Sequence, residues 1–172
     1  MTNPRIHSVV RNQIEPGARR WLLKAVRESS GELFQQFGGL DEASLRWRPR
    51  DGEWCIKELA AHMRDAEFMY QRQIEAIAHR RSGLLPYEAV DVLPYERDYR
   101  DMPLRDFLWE YEAAREETMW LLYTLDEEDW SRTAEHPYRG VVSLYDIARE
   151  LHEHDLDHLF QARGLREQVR SR

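Results

Sequence analysis

Two histidines four residues apart, His154 and His158, lie in the run from Ser143 to Gly164 among apolar residues at helical spacing. Four residues advance about 40° around a helix, so both imidazoles can reach one ion from adjacent turns. His152 lies about 200° from His154 and is expected to face solvent. The stripe Ile147, Leu151, His154, His158, Gln161 and Leu165 reads as the inward face, with three polar groups in it. Such a histidine pair alone is as commonly a hydrogen-bonded pair as half of a metal site. An imidazole from another element has to tip the balance.

His62 offers one. Cys55, Leu59, His62, Ala66, Met69, Gln73 and Ile77 recur at helical spacing, which directs His62 inward from a second helix. Alone it would more often be a core histidine with one hydrogen bond. Together, three neutral imidazoles make a nitrogen site with open positions, the pattern of a reactive rather than a structural metal. Imidazole suits zinc, nickel, copper and ferrous iron, and a bound metal lowers the pKa of its water or of a thiol. Since ligation needs neutral rings, affinity is expected to weaken below about pH 6.5.

Other chemistries read more weakly. His152-Glu153 begins an H-E-x-x-H pattern that fails, because Leu156 stands where a second ligand is needed. No glutamate has a histidine three residues later, so the helical di-iron pattern also fails. Cys55, the only cysteine, excludes an intramolecular disulfide and is expected to pack rather than react. Asp65 and Glu67 lie within about a turn of His62. Asp65 is a candidate to orient a ligand or to serve as a base, although helix acids are more commonly solvated.

The elements that must position these groups are helices. Residues 1–16, broken by Pro4 and Pro16, read as a loosely ordered lead-in. A first helix is expected from Gly17 to Phe37, with Ser29-Ser30-Gly31 as a weak point or a place of close approach. The second should run from Trp54 to Arg81. Residues 82–102 then read as a long connection, with Leu84, Leu85, Tyr87 and Tyr95 packing over the body at a pocket mouth. A third helix begins at Pro103 behind an Asp101 cap, and a connection over 126–140 leads to the fourth. That last helix opens with a Ser143/Asp146 capping box and should close at Gly164. The expected architecture is all-α, one domain over 1–172, a four-helix bundle with long connections.

Composition narrows the class. A net charge of −7 argues against a nucleic-acid binder, which needs a basic face. No segment approaches the roughly 20 apolar residues that span a bilayer, so a cytoplasmic protein is expected. Six tryptophans and eight tyrosines read as core filling and a subunit interface.

The Trp47-Arg48-Pro49 turn, Trp54 eight residues before His62, and the later His154-x-x-x-His158-x-x-Gln161 together resemble the metal motif of the DinB-like (DinB/YfiT-like) superfamily of metal-dependent four-helix-bundle proteins. The likeness covers most of the chain with all three ligand positions intact. It implies His62, His154 and His158 as ligands of a divalent metal, nickel or zinc first and iron also compatible, and frequent homodimers. Gln161 matches the motif's polar position and would orient a ligand or line the pocket. The better-understood members resemble thiol-dependent transferases and isomerases that use low-molecular-weight thiols, and others are described as metal-dependent hydrolases. The competing class is a non-enzymatic bundle, holding a metal or small molecule without turnover or serving as an assembly module.

Overall fold

The computed structural model describes residues 14–81 and 83–172; residues 1–13 of the expected lead-in lie outside them. Four long helices make the bundle: α1 (Ala18–Phe37), α3 (Ile56–Ala78), α5 (Leu104–Thr124) and α6 (Leu144–Arg170). Two short helices, α2 (Glu42–Arg46) and α4 (Leu93–Glu96), sit in the connections. The connection after α5, where the sequence shows no period, contains a hairpin, β1 (Thr133–His136) paired antiparallel with β2 (Gly140–Ser143). Gly140 turns its corner at φ 69°, a left-handed conformation that favours glycine.

Helix ends follow local chemistry. Ser143 accepts from the backbone of Asp146 while Asp146 accepts from the backbone of Ser143, the expected capping box. α3 opens with a similar box in which the backbone N–H of Cys55 donates to Glu58 at 2.8 Å. Arg48 donates to the same carboxylate, so the Trp47-Arg48-Pro49 turn is tied to the first turn of α3. Two expected ends differ. α6 runs through Gly164 to Arg170, and α5 starts after Pro103 with no side-chain cap from Asp101.

Paired contacts give the directions. Ser29 meets Asp155 and Glu32 meets Arg163, so α1 and α6 run parallel. Arg64 meets Glu110 and Gln71 meets Glu117, so α3 and α5 run parallel as well. α6 packs against both α1 and α3, while α3 packs against both α5 and α6. Parallel neighbours oblige the chain to travel back the length of α3, about 35 Å at 1.5 Å per residue, before α5 can begin. Residues 79–103 make that return. Leu85 pairs with Glu135 of the hairpin, Gln73 donates to the Pro86 carbonyl, and Tyr95 donates to the Gly52 carbonyl near the start of α3. Leu85, Val90, Leu93 and Tyr99 are its buried anchors, whereas Leu84 and Tyr87 are exposed, contrary to expectation; Tyr95 is exposed as well, but beside Trp54.

α5 covers α3 on one side and the return covers it on another, which is why its acids are not solvated. Glu67 is buried against Arg115 and Thr118, and Asp65 against Arg64 and Tyr99. Arg115 of α5 lies at the centre. Its guanidinium takes Asp155 of α6 in a bidentate pair at 2.7 and 3.0 Å, Glu67 of α3 at 2.8 Å, and the Val26 carbonyl of α1 at 3.3 Å. Ser29 donates to Asp155 at 2.9 Å, making good the expectation of a close approach at the serine run. Burial opposes the charge on Arg115, but Asp155 and Glu67 outweigh it and hold its pKa well above the ordinary value.

Removing one member of a buried ion network leaves its partners charged and unpaired, at a cost of about 3–5 kcal/mol. Arg115→Met is therefore expected to lose about that much in urea unfolding. A loss under about 1 kcal/mol, the scale of one ordinary hydrogen bond, would show that the network contributes little.

Candidate metal centre

His62 projects from the middle of α3 and is fully buried, while His154 and His158 project from successive turns of α6. Because α3 and α6 pack directly, the stripes that carry these residues meet. His62 Nε2 lies 3.0 Å from His154 Nε2 and 3.0 Å from His158 Nε2. One ring nitrogen from each residue falls within 4.8 Å of the other two.

Proton accounting shows what this cluster can hold. His158 Nδ1 is 2.8 Å from Gln161 Oε1, and His62 Nδ1 makes a longer contact of 3.4 Å with the Val90 carbonyl. Those oxygens only accept, so each Nδ1 carries the hydrogen and each Nε2 keeps its lone pair. His154 could donate to only one neighbour, which leaves His62 and His158 facing each other as acceptors at 3.0 Å. A cation resolves that opposition. Two donors each about 2.1 Å from a common ion stand at most about 4.2 Å apart, and both short separations fall inside the limit.

The electrostatics favour neutral rings. Burial, followed by the charge of His158, lowers the His62 pKa to about 3. Burial, followed by His158, His62 and Arg115, lowers that of His154 to about 2. Burial also lowers His158, against the opposing hydrogen bond that it donates to Gln161. Trp54 lies over His62 with ring centroids 4.7 Å apart and stacks on His158 at 6.1 Å.

Beside His158 is a cavity of about 500 Å³. His158, Gln161, Leu165 and Gln168 line one face of α6 for roughly 15 Å at 1.5 Å per residue, with Trp54 and Tyr95 opposite. Gly164 belongs to the same lining, and a Cβ there would meet nothing within 4 Å.

Asp65 and His152 sit otherwise than expected. Gln161 meets a histidine, whereas Asp65 is engaged by Arg64 and Tyr99 and makes no contact with the three rings. His152 is buried rather than solvated, because the side of α6 away from α3 packs on α1; its ring lies edge-on to Trp21 and 3.3 Å from Ser29 Oγ. Cys55 is buried and burial pushes its thiol up to about 11, in keeping with a packing role. Val90 and Asp91 approach His62 from the return connection, and neither was singled out by sequence. The only signal was a cluster of apolar residues, Val90, Val92 and Leu93, flanking Asp91 in an acidic loop.

The lowered pKa values carry a sign. With His62 near 3 in the folded chain and about 6.5 unfolded, the unfolded chain binds the extra proton between those values. Stability of chelator-treated protein should thus fall as pH drops from about 6.5 through that window, His62 contributing at most about 1.4 kcal/mol per pH unit. Urea midpoints from about pH 7 to about pH 4 check this, and His62→Gln should flatten the curve. Within the folded site, protons compete for the imidazoles below the ordinary histidine range, lower than the unperturbed value suggested.

Comparison with known proteins places these features. Residues 23–162 match the model of the DinB superfamily. The uncharacterized protein YuaE of Bacillus subtilis is 22% identical over 158 residues, covering 83% of this chain and 95% of YuaE. A protein of Oceanobacillus iheyensis, named provisionally as a metal-dependent hydrolase, is 25% identical over 138 residues, covering 80% of this chain and 79% of its own. Among solved structures, Bacillus subtilis YfiT, described provisionally as a metal-dependent hydrolase with an unusual four-helix bundle topology, matches with a TM-score of 0.81 at 15% identity, covering 98% of this chain and 93% of YfiT. A mycothiol-dependent maleylpyruvate isomerase matches with a TM-score of 0.62 at 15% identity, over 81% of this chain and 60% of the isomerase. The matched span takes in Trp54 and all three clustered histidines, and the chain belongs to the DinB superfamily.

Proposed function

We propose that the protein is a metal-dependent enzyme in which His62, His154 and His158 hold one divalent transition metal, nickel or zinc before iron, and act on a small molecule bound in the adjacent cavity. The observation that carries this reading is the opposition of ring lone pairs at 3.0 Å beside a cavity of about 500 Å³. A cation bound there would lower the pKa of a coordinated water or thiol and polarise a substrate group. The chain's own residues supply the rest. Gln161 and the Val90 carbonyl fix ring orientation and tautomer, Trp54 shields His62 from water, and the α6 face from Gln161 to Gln168 cradles the substrate.

Hydrolysis is the first reading, supported by the names of relatives that align over most of their length. Transfer or isomerisation with a low-molecular-weight thiol is the second, supported by the shared fold of the mycothiol-dependent isomerase. In that case the thiol has to come from solution, since the one cysteine is buried with its thiol pushed up to about 11. Among the described residues no helix is long and apolar enough to cross a membrane, in keeping with a cytoplasmic site of action. Trp21, Trp109 and Trp120 are exposed, and they offer apolar surface that a homodimer would cover.

Metal analysis by mass spectrometry on protein prepared without a His-tag or chelator is expected to find about one ion per chain, and His158→Ala should lose it. Absence of metal from both proteins, even with nickel and zinc supplied, would remove the metalloenzyme reading and leave a binding or assembly bundle. With metal present, ester and amide hydrolysis compared with and without small thiols separates the two chemistries. Gly164→Leu should fill the cavity, keeping the metal content while reducing turnover; unchanged turnover would place the substrate elsewhere.

A further inference from the structure

The return connection brings a carboxylate to the three histidines. Asp91 lies in the tight turn Val90–Val92, and its Oδ1 is 3.7 Å from His62 Nε2. The preceding residue contacts the other side of the same ring, where the Val90 carbonyl faces Nδ1 at 3.4 Å. The turn therefore brackets the imidazole, a carbonyl at one nitrogen and a carboxylate beside the other. Its position is held independently of Asp91, by the buried side chains of Val90 and Leu93.

An ordinary surface acid would be explained by a cationic partner or by solvent. Asp91 is exposed, yet among the described residues no arginine or lysine comes within ion-pair distance of its carboxylate. The ionisable group that approaches it is the His62 ring nitrogen, which carries a lone pair because the ring hydrogen faces Val90. A carboxylate has no hydrogen to donate, so the approach is acceptor to acceptor. The same opposition holds between His62 and His158 at 3.0 Å. One cation at the histidines can answer both: 3.7 Å is again inside the limit of about 4.2 Å for two donors on one ion, and since among the described residues only the three histidines lie mutually within 4.8 Å, the exposed Asp91 side chain would turn toward the ion to join them.

We propose that Asp91 is a further, anionic contact for the cation held by His62, His154 and His158. This rests on the three-histidine reading above. It adds one negative charge to a set of neutral ligands, and it makes metal binding a tie between the return connection and the bundle. The carboxylate binds; it is given no part in bond making.

The test is titration of zinc, nickel and cobalt into chelator-stripped wild type, Asp91→Asn, His158→Ala and Asp157→Asn. Asp157 is an exposed acid beside His158, so its variant removes an equal charge near the site without touching the turn. Asp91→Asn is expected to weaken binding about 10- to 100-fold and to alter the visible spectrum of bound cobalt. Its metal-free thermal midpoint should equal that of wild type, and Asp157→Asn should stay within about twofold in affinity. Unchanged affinity and cobalt spectrum in Asp91→Asn, with binding lost in His158→Ala, would overturn the role of Asp91 and leave the three-histidine centre standing. Equal weakening in Asp91→Asn and Asp157→Asn would also overturn it, as a general charge effect. Full binding by His158→Ala would remove the centre and the Asp91 contact together.

Discussion

Arg115 is the point at which all four long helices are tied together. Its guanidinium reaches Glu67 on α3, Asp155 on α6 and the Val26 carbonyl on α1. A hydrophobic core tolerates small rotations of its helices, because dispersion is weak in direction. A buried bidentate ion pair does not, since turning either helix separates charges that have no water to fall back on. Asp155 stands between His154 and His158 in sequence, and Glu67 follows His62 by five residues. The network thus sets the rotation of the two helices that carry the histidines. The close approach of three imidazoles depends on an ion pair that touches none of them.

The parallel pairing of α3 with α5 has the other large consequence. A chain that must run back the length of a helix has to cross the bundle surface, and here it crosses above His62. Buried residues at intervals along the return, together with the bond from Gln73 to Pro86, hold it down. A segment that topology requires in any case becomes the cover of the site. It contributes the Val90 carbonyl that sets one tautomer, the Asp91 carboxylate, and Tyr95 at the cavity.

Burial and chemistry agree at the centre. Burial lowers the pKa of all three imidazoles, so each offers a lone pair at neutral pH rather than a repelling charge. The same burial keeps the Cys55 thiol protonated, which removes the chain's own thiol from the chemistry. The fold is shared at 15% identity with YfiT and with a mycothiol-dependent isomerase, and a shared fold does not by itself fix a reaction.

Much of this was legible in the residues. Helical period placed His154 and His158 on one face and His62 on an inward stripe, and the Ser143/Asp146 box marked the start of α6, because spacing and capping are local properties of the chain. The resemblance to the DinB-like family supplied the bundle and the ligand set as an expectation. What the chain could not show locally was which helix each face would meet. His152 was placed opposite His154 correctly, yet opposite proved to mean α1 rather than solvent, since α6 packs on two neighbours and buries two stripes. Asp65 and Glu67 likewise became buried, Glu67 against α5 and Asp65 against the return connection, and Asp91 came to the site through a loop with no period to read. Periodicity determines which side chains share a direction; only tertiary packing, which brings together residues distant in sequence, decides what lies in that direction.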